Sequence, residues 1–515
     1  MKISQICFFC LFLVVVSSQA AVHETLPTFH WAYDDIKVLQ DRGFLLELNP
    51  LQLPYTRGEV ARELSGEEEK IKALNSAFVT HIYEKLQYEF MSEATGAHIT
   101  GRARLEANLD DEPENNAAYR GIYRAGAGAQ IGEHVFAYSG VNFDQYDYHD
   151  PLYKGDKWRG IAGYTEQAYV RVNWDRFDVL IGRDFLRWGP GETGSLVLSN
   201  HARPLDQLRA RARFGPFDYM FVISELDPMN GLARDSSRFT ARRYLSGHRL
   251  GLSLFENRFR VAVSEIMVYG GENQSFNSVY LNPVLFYHGA QKNEAGAGNV
   301  LPAVDFLYYP HNSFHVYASL LIDDIQIEKT RPGDLEPNEI GLITGVKWSD
   351  PFAFSGLTLS GEYTRVTNRT YKTLSFHEVF LHRNKPLGHP LGNDFDLLQI
   401  EAEQWFSADL QCKLHYSHTR RGEGSIYTPF DTPWIDYTAE QGYSEPFPTG
   451  VVETRNSIGL SARYQPSIHW GVNAEWYYNM YDNYQKVKGE NETHTTWRLG
   501  LWWDGEVVFG FDNEQ

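Results

Sequence analysis

From residue 98 onward, apolar and polar positions alternate with a period of two almost to the end of the chain. Ile99, Gly101, Ala103, Leu105, Ala107 and Leu109 hold one parity; Thr100, Arg102, Arg104, Glu106 and Asn108 hold the other. The division recurs at Ala168, Val170, Val172 and Trp174 against Gln167, Arg171 and Asn173. It returns at Phe314, Val316, Ala318 and Leu320 against His315, Tyr317 and Ser319. Successive side chains of a strand point to opposite faces, so each stretch predicts a strand with one apolar and one polar side. Sixteen to eighteen such segments are separated by stretches rich in Asp, Asn, Gly and Pro. Segments of about ten residues with aromatics near their ends predict an all-β transmembrane barrel of about 18 antiparallel strands, lipid outside and a polar lumen inside.

Residues 21–97 keep a helical period instead. Ala32, Ile36 and Leu39 share one face, and Gly43 stands where a helix-ending glycine belongs. Thr56 and Glu59 have capping-box spacing and open a helix over 56–64. Ile71, Leu74, Phe78, Ile82 and Leu86 predict a third helix over 67–92. The segment is expected to be a small α-helical domain on the periplasmic side.

Connections are expected to alternate in length, with Gly132-Glu133, Glu256-Asn257 and Ser407-Ala408-Asp409 as short turns. Long loops are expected at 144–163, 184–215, 227–247, 270–300, 367–396 and 420–451, on the side facing the exterior.

The first residues complete the layout. Lys2 precedes the apolar run ICFFCLFLVVV, which reads as a secretory signal over 1–20. Cys7 and Cys10 fall inside it, leaving Cys412 and no intramolecular disulfide. The expected domains are therefore 1–20, signal; 21–97, helical; and 98–515, barrel. The net charge of −19 excludes a general nucleic-acid binder, which needs a basic surface. A mean hydropathy of −0.41 describes a soluble chain until alternate residues are assigned to the lumen.

Enzyme motifs are absent: there is no HExxH, GxSxG, P-loop or paired CxxC, and Gly126-Ala127-Gly128 with Gly132 matches a dinucleotide loop only loosely. No cofactor or metal is expected, and His201, His288 and His389 read as loop or lumen polar groups. The distribution of charge says more. Residues 203–260 hold eleven Arg, no Lys and six acids. Arginine's planar fork matches carboxylate and phosphate groups. Arg183, Arg187, Trp188, Arg203, Arg209, Arg211 and Arg213 are therefore candidates to hold a glycan or another acidic ligand. A ladder of arginines lining the lumen and pairing with acids there is the competing reading. Tyr148, Tyr153 and Trp158, interspersed with Asp147, Asp150 and Asp156, add faces on which sugar rings stack.

With these residues in view, the chain resembles the Wzi-type capsule assembly proteins of bacterial outer membranes. The anchors are 181–213, 281–288 (LNPVLFYH) and 386–396 (PLGHPLGNDFD), and HWAYDDIKVLQDRGFL with YTRGEVA looks like one S-layer homology module. The resemblance implies an eighteen-stranded outer-membrane barrel with a periplasmic helical bundle. It also implies a non-catalytic lectin that anchors capsular or other surface polysaccharide. The implied partners are that polysaccharide and outer-membrane lipid, without nucleic acid, and the barrel is read as a monomer. The rival reading is a passive porin for sugars or anions.

Overall fold

The computed structural model describes residues 22–510 apart from 75, 92–96, 113–114, 233–237, 294–297 and 329. The expected signal segment lies outside the described residues, as does Arg234.

Among the described residues, eighteen long strands run antiparallel from His98–Glu112 to Asn491–Gly510, each paired to the next along the chain. The last strand pairs with the first, from His98↔Gly510 to Asp111↔Trp497, and closes the barrel. Closure removes the sheet edge, so strand N–H and C=O groups find partners even in lipid. None of the described helices is long and apolar enough to cross a membrane. The alternation is realised as expected: Ile99, Leu105, Leu109, Val170, Val172 and Trp174 are exposed on the outer wall. Gly126 and Gly128 face inward, where a Cβ would lie 2.2 Å from Tyr138 Oη and 2.5 Å from the Phe136 ring. They make room for aromatics and form no phosphate loop.

One end of the barrel carries short turns, among them 132–134, 175–176, 215–216, 255–258 and 406–409; the other carries 145–160, 185–204, 273–298, 367–394 and 422–452. Two expected loops are shorter than anticipated. The 184–215 loop ends at residue 204, because Leu205–Phe214 is already a strand. The 227–247 loop shrinks to a hairpin connection, because Phe217–Leu232 and Arg238–Leu254 pair as far as Leu232↔Arg238. In the first case Arg209, Arg211 and Arg213 are lumen-facing strand positions; in the second Arg243 is buried on the lumenal side, while its neighbour Arg242 is exposed and pairs with Glu225.

The N-terminal segment forms helices α1 (Ala32–Gln40), α2 (Arg57–Ala73) and α3 (Ala77–Phe90). Gly43 follows α1 with φ +82°, a value that favours glycine. The Thr56–Glu59 capping box forms in full. The predicted helix over 67–92 divides in two, because the Ser76 side chain caps α3 at Val79 N. Leu74, expected on the apolar face, consequently sits exposed at the break.

This segment lies inside the ring. Glu24 pairs with Arg102, Asp35 with Arg463, and Glu59 with Arg211; the Leu46 carbonyl accepts from Arg260 and Leu51 from Arg249. Those arginines sit on strands spread round the barrel, a set only a lumenal body can reach at once. Around the helices, the core of Leu39, Leu64, Ile82 and Leu86 continues into Trp405, Ala408, Ile468 and Trp502 at the short-turn end. From the opposite end residues 185–204 dive into the lumen. Arg187–Trp188 pairs there as a strand with Gln52–Leu53. A second core fills the middle, joining Leu51 and Trp188 to Leu196, Val197, Tyr371, Phe380 and Phe395.

Candidate functional site

The long-loop end gathers the exposed aromatic and basic residues. Asp144 ends a strand and caps the short helix Gln145–His149, its carboxylate accepting from Tyr146 N at 2.6 Å. That helix presents Tyr148, and the chain then carries Tyr153 and Trp158 back to the strand Ile161–Trp174. Trp158 is 67% exposed and Arg159 lies 4.9 Å from its ring. Lys157 stands 5.7 Å from Tyr148 and 5.8 Å from Tyr153.

Arg203 anchors the centre of this mouth. It pairs with Asp147 at 3.3 Å and lies between Tyr153 at 4.4 Å and Tyr164 at 4.1 Å. Arg183 forms a two-pronged pair with Asp206, at 2.8 and 2.5 Å. Lys385 pairs with Asp150 at 3.0 Å, and Lys154 with Asp227 at 2.7 Å. Sequence reasoning did not single out Tyr164, Arg383 or Lys385. Arg383 and Asn384, both at positive φ, form the tip of a hairpin between Leu381–His382 and Lys385–Pro386. Asn is a turn signal, but nothing in the sequence says that this turn arrives at the mouth. Burial, then the neighbouring Arg183 and Arg203 cations, hold the Arg383 guanidinium below the usual arginine range. Burial and nearby Lys385 likewise lower His201. Beneath the mouth a cavity of about 250 Å³ is lined by Phe29, Arg124, Tyr164, Glu166, His201 and Arg203.

Chemically, the mouth combines open aromatic faces with cations. Asp147, Asp150, Asp206 and Asp227 are each held by a Lys or Arg. Among the described residues no group of three or more His, Cys, Asp or Glu is arranged to hold a metal ion.

Residues 79–496 match the family model for capsule assembly protein Wzi. The chain belongs to the Wzi capsule assembly family. Among solved structures, it matches Wzi, an outer membrane protein of Escherichia coli involved in group 1 capsule assembly and described as a carbohydrate-binding β-barrel. The TM-score is 0.62 at 16% identity, over 95% of this chain and 100% of that one. A more distant likeness is to the Pseudomonas aeruginosa barrel OccD3, with TM-score 0.46 and 10% identity over 80% of this chain and 92% of that one. No curated protein sequence matches.

As a Wzi-family outer-membrane barrel, the molecule distributes the predicted candidates over two places. Tyr148, Tyr153, Trp158, Arg183 and Arg203 stand at the mouth. Arg187 and Trp188 do not. Arg187 donates to Gly191 O and to Ser195 Oγ, and Trp188 is fully buried, its backbone N–H donating to Leu198 O at 2.9 Å. The long loop turns inward before it reaches them, so they serve the plug. Arg209, Arg211 and Arg213 are also corrected in place, because alternate positions of Leu205–Phe214 point into the lumen. Arg209 pairs with Asp184 at 3.1 Å; Arg211 and Arg213 reach Glu59 of α2 at 3.1 and 2.9 Å. The lumenal-ladder reading accounts for these three.

Proposed function

We propose that this Wzi-family barrel is a non-catalytic outer-membrane lectin that binds capsular or other surface polysaccharide at its long-loop end and retains it on the cell. By the usual rule for such barrels, the short turns and helical plug face the periplasm and the long loops face the exterior. The observation that carries this reading is the mouth itself. Arg203 is pinned between Tyr153 and Tyr164, with the half-buried Tyr148 and the exposed Trp158 nearby. Aromatic faces suit sugar rings, while Arg203 and Arg383 suit acidic substituents. Arg183, Arg203, Tyr148, Tyr153 and Trp158 are the proposed contacts, and Arg383 and Lys385 join them.

The lumen supports retention over passage. An eighteen-stranded barrel is wide enough for an aqueous channel, yet here α1 enters from one end and residues 185–204 from the other, with an apolar core between. The helical segment is proposed as a plug. Its likeness to an S-layer homology module rests on the motif alone, and Asp34, Asp35, Lys37 and Arg42 of that motif are engaged by Arg463, Glu192 and Asp350.

Binding of purified surface polysaccharide to the refolded barrel tests the proposal. The wild type should bind, and Arg203→Ala with Tyr153→Ala should bind at least tenfold more weakly. Equal binding by both would refute the assignment of the mouth.

A further inference from the structure

Residues 273–293 leave the top of the strand Phe259–Glu272, and much of this segment lies against the outside of the barrel instead of over its mouth. The parity of the strands shows which side it occupies. Ile266 and Val268 belong to the lumenal core with Trp188, so Glu265, Met267 and Tyr269 point outward. Met220 also belongs to that core, so Tyr219 points outward too. The loop engages this outer set. Tyr287 N and His288 N donate to the two oxygens of Glu265 at 2.7 and 2.8 Å, and Tyr219 Oη donates to Pro283 O. A chain of rings ties it down: Tyr244–Phe276 at 5.2 Å, Tyr269–Tyr280 at 4.7 Å and His248–Tyr287 at 4.7 Å.

Glu265 and His248, 3.4 Å apart, would be costly on a surface bathed in hydrocarbon. Their depth places them there. Phe255, 71% exposed, and Phe259 belong to an aromatic belt at the short-turn end. With a rise of ~3.3 Å per residue and a tilt of ~40°, Glu265 stands about 15 Å above that belt, inside an apolar band of about 25 Å. One rung below it, Leu250, Val263 and Val304 pair across three strands and are exposed on the outer wall. The loop covers the polar rung and faces outward itself with Val279, Leu281, Val284 and Phe286; Val284 is 81% and Phe286 65% exposed, while Tyr280 and Tyr287 between them are buried.

We propose that residues 273–293 are a membrane-facing strap, docked on the outer wall over Glu265 and His248, whose Val279, Leu281, Val284 and Phe286 contact acyl chains of the leaflet on the long-loop side. The strap's apolar face is continuous with the bare lipid wall beneath it. It satisfies the carboxylate from its inner side and replaces it with hydrocarbon on its outer side.

Spin labels at Val284→Cys, Phe286→Cys and, as control, Ile435→Cys test this in the full chain with its native cysteines changed to Ser. The barrel is reconstituted in phosphatidylcholine vesicles. The account expects labels at 284 and 286 to collide more with oxygen than with a water-soluble nickel chelate, and the label at 435 to show the reverse. Nickel access at 284 and 286 equal to that at 435 overturns the proposal. So does exclusion of both reagents, which would mean that a protein covers the strap. Glu265→Ala tests the docking: the label at 286 should gain mobility while that at 435 stays unchanged, and no change at 286 overturns it.

Discussion

The guanidinium of Arg203 stacks 4.1 Å from the ring centroid of Tyr164 at the mouth of a barrel whose interior is otherwise occupied. Held also by Asp147, Arg203 is fixed in orientation before any ligand arrives. Pre-ordering of this kind reduces the entropy lost on binding. Arg203→Ala is expected to weaken polysaccharide binding by about 1–2 kcal/mol, the range of a partly desolvated cation–π contact with its ion pair. Titration of the polymer onto immobilised barrel reads the change. If the polymer is acidic, added salt should mimic the loss in the wild type; an unchanged affinity would remove Arg203 from the contact set.

Glu362 pins the inward loop. Its carboxylate accepts from Glu192 N at 2.6 Å, Thr193 N at 2.9 Å, Thr193 Oγ1 at 2.5 Å and Tyr317 Oη at 2.8 Å. The wild type should show almost no open-channel current in a planar bilayer. Glu362→Ala strands those donors and should release residues 185–204, giving intermittent pore-like events. Steady large currents from the wild type would favour the porin reading.

Glu59 ties α2 to the wall. Burial raises its carboxyl pKa, but the Arg211 and Arg213 cations outweigh that and hold it well below the usual carboxylate range. Its contribution is therefore present above pH about 4.5 and disappears as pH falls further. Glu59→Gln should lower the opening free energy of α2 by about 3 kcal/mol at pH 7, since a buried pair loses one partner. Hydrogen exchange measures this, and the deficit should shrink toward pH 2.

Glu63 behaves in the opposite sense. Burial pushes its pKa up to about 7, against a donation from Glu47 N at 2.9 Å. The folded state then binds the proton more tightly than the unfolded one, so α2 loses stability as pH rises from about 4.5 to 7. Glu63→Gln should stabilise α2 at pH 8 by about 1–2 kcal/mol after allowance for screening, and not at pH 4. Equal effects at both pH values would contradict the assignment.

The barrel was legible because lipid and lumen impose a two-residue period on every strand. Ile99 and Val170 announce the outer wall as plainly as Arg171 and Arg211 announce the inner one. The arginine stretch was legible as chemistry but not as place. Arg211 on a strand and Arg203 on a loop look alike in sequence, and only strand register decides between Glu59 and the mouth. Trp188 misled for a similar reason. A tryptophan in a glycine-rich loop looks like a ligand contact, whereas the loop turns inward and uses it as core. Arg383 was invisible because a hairpin far along the chain delivers it beside Arg183. Nor could LNPVLFYH reveal that it lies on the outside of the wall, since that depends on Glu265 facing lipid.

Retention of polysaccharide by living cells tests the central claim most directly. In an encapsulated host lacking this gene, cell-bound polymer should fall and released polymer rise. Wild-type protein should restore the balance, and the Arg203→Ala, Tyr153→Ala variant should not, although it reaches the outer membrane in equal amount. If bound and released fractions were the same with and without the gene, the anchoring account would be wrong.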